Sequence, residues 1–395
     1  MTGRFYRMWG DFGGIKHDRA LEYEVFRAQA LGAGVSIGDQ LHPAGQVSEP
    51  EYEPIRKVLS AYDAAAPLYE GVKPAFDVGV FYATSMHHDD RIQKHATAAE
   101  EGCLLLLDEL RFQPTMLDDQ SLLHDLKLVI VPEHSLLSQE TRGALGAYYD
   151  SGGRVLIVGN GGGHTDEDPV LPGLPFLVSD REWHAPSYAL HETGTEKLAA
   201  GYPYAMYLSG WELTFTGKRP QSLMNRIPPL FRRTDAHYSS HYQAPPSDLP
   251  AETPAAMVGD RWAYISYPIF EGYREFGYWA HKEIVRETIK ALGVVPWVSD
   301  TLPTGAKVFV SKGTNSLVVT VLNYSMTRKA IRMDTITDAL SYQDCRISLD
   351  PSLCKGPAKA MMMIDERRID TKLDSEGSAL LPDGKGRAVL RFSKC

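Results

Sequence analysis

Apolar residues recur at helical spacing over 19–31, where Leu21, Val25 and Ala28 share one face and Gly32 and Gly34 end the run. Asp18 stands where a helix cap belongs. Val35-Ser36-Ile37 reads as a short buried strand that breaks off in Gly38-Asp39-Gln40-Leu41-His42-Pro43. A second helix over about 51–69 is closed by Gly71 and Pro74. This alternation is the grammar of parallel α/β proteins, but two such units cannot close a sheet or bury both its faces. Residues 1–75 are therefore expected to leave apolar faces open and to favour self-association.

A fuller α/β pattern occupies 76–298. Strands are expected at 77–82, 112–117, 126–131, 154–158 and 262–266, with helices at 97–110, 139–150 and 278–292. The run 126–131 is continuously apolar, as a strand buried on both faces would be. Residues 161–255, rich in Pro, Tyr and His, read as one long irregular insertion in a flavodoxin-like sheet. The pattern changes over 299–395 to alternating segments at 307–310, 317–322, 345–349, 360–364 and 387–392. A Lys312-Gly313-Thr314-Asn315 turn between the first two marks a hairpin. The expected architecture is thus an α/β parallel-sheet domain, preceded by a short αβα stretch and followed by a small all-β sandwich.

Composition adds mainly exclusions. The 395 residues are 43% hydrophobic and 23% charged, an ordinary globular balance that rules out disorder and suggests two or three domains. A net charge of -9 with no dense basic run argues against a nucleic-acid partner. The longest apolar runs, 103–107 and 361–364, are too short to cross a bilayer. Arg4 and Arg7 lead into Trp9-Gly10-Asp11 rather than an apolar stretch, so no signal peptide is read and a cytoplasmic location is expected. Cys103, Cys345, Cys354 and Cys395 lack metal-ligand spacing and read as reduced, structural thiols.

Polar clusters at the ends of parallel strands are where α/β folds place chemistry. Asp11 and Asp39 are the candidate catalytic pair, with Trp9, Gln40 and His42 as substrate-binding neighbours. Two carboxylates beside an exposed indole suit sugar chemistry. One protonates a glycosidic oxygen, the other attacks or stabilises C1, and the ring supports the apolar sugar face. The same aspartates would equally serve to fix turns or cap helices.

Other motifs carry less. Asn160-Gly161-Gly162-Gly163-His164 resembles a phosphate loop, yet the acidic stretch 165–169 that follows would repel a phosphate. That position also suits a cysteine nucleophile, and none is present, which disfavours glutaminase chemistry. His87-His88-Asp89-Asp90 and the pair His237, His241 read as loop residues rather than metal ligands, since Ser239, Ser240, Pro245 and Pro246 oppose a helix. Asp118-Asp119-Gln120 reads as a helix cap, and Met361-Met362-Met363 as strand core. No metal and no cofactor are expected.

Several of these strings resemble segments of large glycoside hydrolases that are similar to family 42 β-galactosidases, some of them α-L-fucosidase-like. They are Trp9-Gly10-Asp11-Phe12-Gly13-Gly14, Ile37-Gly38-Asp39-Gln40-Leu41-His42-Pro43, Leu117-Asp118-Asp119-Gln120, and Tyr267-Pro268-Ile269-Phe270. Ser240-His241-Tyr242-Gln243-Ala244-Pro245-Pro246 and Leu322-Asn323-Tyr324 extend the likeness, which makes His241 and Gln243 secondary site candidates.

The resemblance implies three parts: a catalytic (β/α)8 barrel, a trimerisation domain shaped like a class I glutamine amidotransferase, and a C-terminal β domain. Residues 1–75 would then be the last two βα units of the barrel, with 76–298 and 299–395 as the other two parts. The family's acid/base Glu follows barrel strand four, which has no counterpart here, and Asp11 replaces an obvious Glu after strand seven. The chain is accordingly expected to be the C-terminal portion of such a hydrolase, inactive by itself, oligomeric, and partnered by a carbohydrate. The alternative is a non-catalytic carbohydrate-binding or assembly protein that uses the aromatic stretch 202–207 and Trp211.

Overall fold

The chain divides into two units, one gathering Met1–Ala75, Arg111–Gln113 and Pro296–Cys395, the other Phe76–Leu110 and Pro114–Val295. The computed structural model describes residues 2–8, 11–82, 90–118, 120–163, 169–181, 185–241, 243–329, 334–354, 359–364, 367–374 and 377–394.

In the first unit, helix α1 (Asp18–Ala30) is capped by His17, whose ring accepts the Arg19 N–H; Asp18, the expected cap, sits inside the first turn. Helix α2 (Glu49–Ala65) follows the short strand Ile37–Gly38, and its last turn tightens into the 3-10 segment Ala66–Tyr69. Two sheets make the rest. One is eight-stranded, with Arg367–Lys372, Lys359–Ile364, Gly384–Ser393, Ser316–Arg328, Lys307–Lys312 and Lys73–Pro74 as its main path; the other has three strands, Val298–Asp300, Arg346–Leu349 and Ser378–Leu380. Val298, Ile347, Leu349 and Ala379 from the small sheet share one buried cluster with Val308, Val310, Leu390 and Phe392 from the large one, which makes a sandwich.

The Ser316–Arg328 strand covers part of the first 75 residues, whereas Met8, Phe12, Leu41 and Val47 stay exposed, as expected of an open segment. Leu317, Val319 and Val321 point into the sandwich core. On the opposite face Leu322 and Tyr324 bury Leu21, Val25 and Phe26 of α1 and Ile55 and Val58 of α2. Period two thus makes one strand the floor of two cores, and the inner faces of α1 and α2 are buried on it. Each large side chain buried this way contributes about 1.5–3 kcal/mol. Arg111 and Gln113 belong here because Arg111 pairs with Asp300 and donates to the Ala306 carbonyl at 2.7 Å, while Gln113 bonds Val308 and Val310. Cys354 is disulfide-bonded, which corrects the reading of all four cysteines as reduced, and Cys103 and Cys345 are free.

The second unit is built on a nine-stranded mixed sheet. Five strands are parallel: Val78–Phe81, Pro114–Leu117, Leu128–Val131, Val155–Val158 and Trp262–Ile265. In spatial sequence they run second, first, third, fourth, fifth, the doubly wound order of flavodoxin-like sheets. Helices α3 (Asp90–Glu109), α4 (Gln139–Asp150), α5 (Ile269–Phe276) and α6 (Trp279–Ala291) accompany them. The insertion is not irregular. Ser187–Leu190, Pro203–Met206 and Gln221–Ile227 add three antiparallel strands, Ala256–Val258 just after the insertion joins them antiparallel to Trp262–Ile265, and Phe176–Arg181 with Trp211–Phe215 forms a separate ribbon. The strands inside the insertion are only four to seven residues long and mix polar with apolar positions, so no apolar run revealed them.

Helix α5 lies between Pro268 and Gly277, the latter at φ 60, and presses on α3 so closely that a Cβ on Gly102 would sit 2.0 Å from the Phe270 carbonyl oxygen. No helix among the described residues is long and apolar enough to cross a membrane.

Candidate functional site

Thr2–Gly3 and Ile37–Gly38 pair in parallel, Thr2 opposite Ile37 and Gly3 opposite Gly38. The loops leaving their carboxyl ends therefore start side by side, at the edge where parallel folds assemble sites. The first residue of each loop meets the other: the Arg4 guanidinium pairs with the Asp39 carboxylate. Arg4 is 2% exposed and also reaches Glu51 of α2 at 2.9 Å. Its guanidinium lies 4.3 Å from the Phe5 ring centre. Asp39 accepts the Gln40 N–H at 2.7 Å and the Tyr52 hydroxyl. Burial pushes the Asp39 carboxyl up, but Arg4, Tyr52 and the Gln40 N–H outweigh it and hold its pKa below the usual value. The Tyr52 hydroxyl is pushed up, chiefly by its bond to Asp39.

Further along the two loops, the Phe12 and His42 rings meet edge-on at 5.8 Å. His42 accepts the Ala44 N–H at 3.1 Å through Nδ1, and both His42 and Gln40 are exposed. Asp11 accepts the Met8 N–H at 3.0 Å and the Arg7 N–H at 3.3 Å, bonds that shape the loop. Trp9 lies outside the described residues. The structure thus gathers Asp39, Gln40 and His42 with Phe12, and puts Arg4 rather than a second acid against Asp39. Sequence reasoning missed Arg4, Glu51 and Tyr52. The signal available was the parallel grammar itself, since a residue directly after one strand faces the residue directly after its neighbour.

The secondary candidates belong to the second unit. His241 is exposed, and the His241 and Gln243 carbonyls accept from the Ser239 hydroxyl at 3.2 and 3.4 Å. His237 stacks on Phe231 at 4.1 Å and bridges to Thr234, so no helix aligns it with His241. His87, His88, Asp89, Asp119 and His164 lie outside the described residues. Among the described residues no group of three or more His, Cys, Asp or Glu is arranged to hold a metal ion.

A second polar cluster, unmarked in the sequence, follows the Leu128–Val131 strand. Glu133 is fully buried, and its Oε1 accepts the N–H groups of Phe270 and Glu271 at 2.9 and 2.8 Å, at the start of α5. Oε2 finds no hydrogen-bond partner among the described residues. Burial pushes this carboxyl up to about 8 against the help of those amides. Next to it His134 takes the left-handed conformation at φ 65 and lies 3.0 Å from Glu271 Oε2, while His95 holds the other oxygen of Glu271. Burial raises the Glu271 pKa, and the two imidazoles more than reverse this. The signal that sequence reading passed over was Glu133-His134 one residue beyond a fully apolar strand, with Pro132 between.

No protein-family model matches the chain, and no curated protein matches it. Solved structures do. The chain is similar over its whole length to α-L-fucosidase isoenzyme 2 from Paenibacillus thiaminolyticus, with a TM-score of 0.88 at 25% identity, covering 60% of that protein. Gan42B, a GH42 β-galactosidase from G. stearothermophilus, matches 96% of this chain at a TM-score of 0.59 and 11% identity, over 51% of its own length. A β-galactosidase from Bacillus circulans sp. alkalophilus matches 96% at 0.60 and 11% identity, over 53% of its length. At that identity the two galactosidases speak for the fold alone. The chain spans between about half and 60% of these proteins, which fits a C-terminal portion of such an enzyme.

Proposed function

We propose that the chain is part of a glycoside hydrolase acting on O-glycosyl bonds, and that it supplies one wall of the sugar site rather than the reacting acid pair. The likeness to the fucosidase over the entire chain carries this reading. In it, Thr2–Gly3 and Ile37–Gly38 are the last two strands of a (β/α)8 barrel. The second unit is the amidotransferase-like trimerisation domain, a reading supported by its doubly wound strand order. Gln40 and His42, both exposed on the loop after Ile37–Gly38, face the sugar. Asp39, kept ionised by Arg4 and Tyr52, is a fixed anion that orients the loop and cannot easily donate a proton at neutral pH. Asp11 shapes its own loop.

The test is a panel of aryl α-L-fucosides and β-galactosides with this chain, alongside saturation-transfer NMR with fucose and galactose. The expected result is sugar contact that His42→Ala and Gln40→Ala weaken several-fold, with turnover no faster than the uncatalysed reaction. Robust turnover would overturn the assignment of the catalytic pair to other residues. Absence of sugar contact would overturn the reading itself.

A second reading, a non-catalytic carbohydrate binder, rests on one observation. Tyr202, Tyr204, Tyr207, Phe276, Tyr278 and Trp279 form a continuous network of ring contacts, 4.8–6.1 Å between centres. Tyr202, Tyr207, Phe276 and Trp279 are 41–56% exposed. Affinity electrophoresis in a polysaccharide gel separates the two: loss of retardation in Trp279→Ala with His42→Ala unaffected favours the binder.

A further inference from the structure

Three elements of the first unit bring cations to one cavity through their own periodicities. On α1, Arg19, Glu22 and Phe26 fall on one face; on α2, Lys57 and Ala61 are one turn apart; on the Gly384–Ser393 strand, Lys385 and Arg387 are two apart and share a face. Tyr324 and Met363 complete a cavity of about 210 Å³. Four cations thus face a single carboxylate, Glu22. That carboxylate is already engaged, since both its oxygens accept from Arg19 at 2.7 and 2.8 Å and the Tyr324 hydroxyl donates to it at 3.3 Å.

The cavity has a rigid floor and two uncommitted arms. Arg387, 8% exposed, donates to Gln29 Oε1 at 3.0 Å and to the Ala61 carbonyl at 2.8 Å, and its guanidinium lies 3.6 Å from the Phe26 ring centre. Lys57 and Lys385 are exposed and make no ion pair among the described residues. Concentrating like charges is unfavourable without a counter-charge, and it occurs here in a chain whose net charge is -9. The volume of about 210 Å³ is smaller than the roughly 300–1,000 Å³ of pockets for larger organic ligands. Two ammonium groups beside the Arg19 guanidinium, which meets Glu22 through Nη1, match an anion with several oxygens.

We propose that this cavity binds a small tetrahedral oxyanion, phosphate or sulfate, either free or as the ester group of a larger molecule. The site is independent of the hydrolase reading, because none of its residues belongs to the strand-end loops. Binding is expected to weaken steeply with added salt, as ammonium–anion attraction at a surface does.

The experiment is calorimetric titration of the full chain at low ionic strength with inorganic phosphate and with sulfate. Phosphate should bind one to one, and Lys57→Gln/Lys385→Gln should weaken it at least tenfold, whereas Lys57→Arg/Lys385→Arg should hold it within about threefold. Both lysines are exposed, so the melting temperature is expected to stay unchanged; if the glutamine variant fails to fold, the charge-reversing single variant Lys385→Glu gives the same reading. Equal affinity in the variants, or equal competition by chloride, would overturn the proposal. A galactose 6-phosphate arm distinguishes the sources: tighter binding than phosphate, with galactose alone inert, marks an ester, and equal affinity marks the free ion.

Discussion

Asp39 and Glu133 occupy equivalent places in two different units, just beyond the carboxyl end of a parallel strand, yet they titrate in opposite directions. Burial acts to raise both. Asp39 faces the Arg4 guanidinium, and the opposite charge wins. Glu133 has no cation beside it, only amide dipoles at the head of α5 and the like charge of Glu271, and burial wins, leaving the carboxyl mostly protonated at neutral pH. Position at a strand end therefore does not set a carboxyl's chemistry. The sign of its nearest partner does.

The strongest way to break the contrast is to remove that partner. Arg4→Met leaves Asp39 and Glu51 without their shared cation and should cost about 3–5 kcal/mol in urea unfolding, with the Asp39 titration moving up by NMR. An unchanged Asp39 titration would mean that Tyr52 and Gln40 suffice.

Glu133 gives the next largest effect, with a definite sign. The folded state keeps a proton up to about 8, whereas the unfolded carboxyl loses it near 4.5. The native state thus binds more protons across that window, and stability falls as pH rises through it. Glu133→Gln keeps an acceptor for the two amides and should be more stable than the parent at pH 9 by about 2–3 kcal/mol, with the gap closing toward pH 4. Parallel melting curves across that range would refute the protonated Glu133.

His281 sharpens the same principle with a base. Burial lowers its pKa to about 4, so the folded state binds fewer protons than the unfolded state, whose histidine titrates near 6.5. Its share of the stability should be lost as pH falls from 6.5 toward 4, and His281→Phe should flatten that loss. A smaller effect is expected from Tyr52→Phe, which deletes one bond to the Asp39 carboxylate and should cost about 1–2 kcal/mol while raising the Asp39 titration slightly. The smallest belongs to Phe12→Ala. Losing one edge-on ring contact with His42 should cost at most about 1 kcal/mol and alter the His42 line widths more than the melting temperature.

Much of this was legible beforehand. Apolar periodicity located α4 at 139–150 and the buried strand at Leu128–Val131, because local pattern and burial agree there. Gly38-Asp39-Gln40-Leu41-His42-Pro43 identified one loop of the candidate site, since a strand that ends in polar residues is visible in one dimension. Helix α5 was not legible: eight residues, six of them taken up by Ile269-Phe270-Glu271-Gly272-Tyr273-Arg274, are too few to show a period.

By itself the sequence determined where the chain alternates and turns, and hence the parallel grammar of residues 1–160 and 262–292 and the hairpins beyond 298. Those properties depend on residues within a few positions of one another. Tertiary structure alone decided that Arg4 meets Asp39 across 35 positions, that His95 and His134 share Glu271, and that Leu322 and Tyr324 close the helices α1 and α2. Each is a contact between distant segments, and its energy depends on what burial removes from water and which charge lies opposite, which only the folded chain specifies.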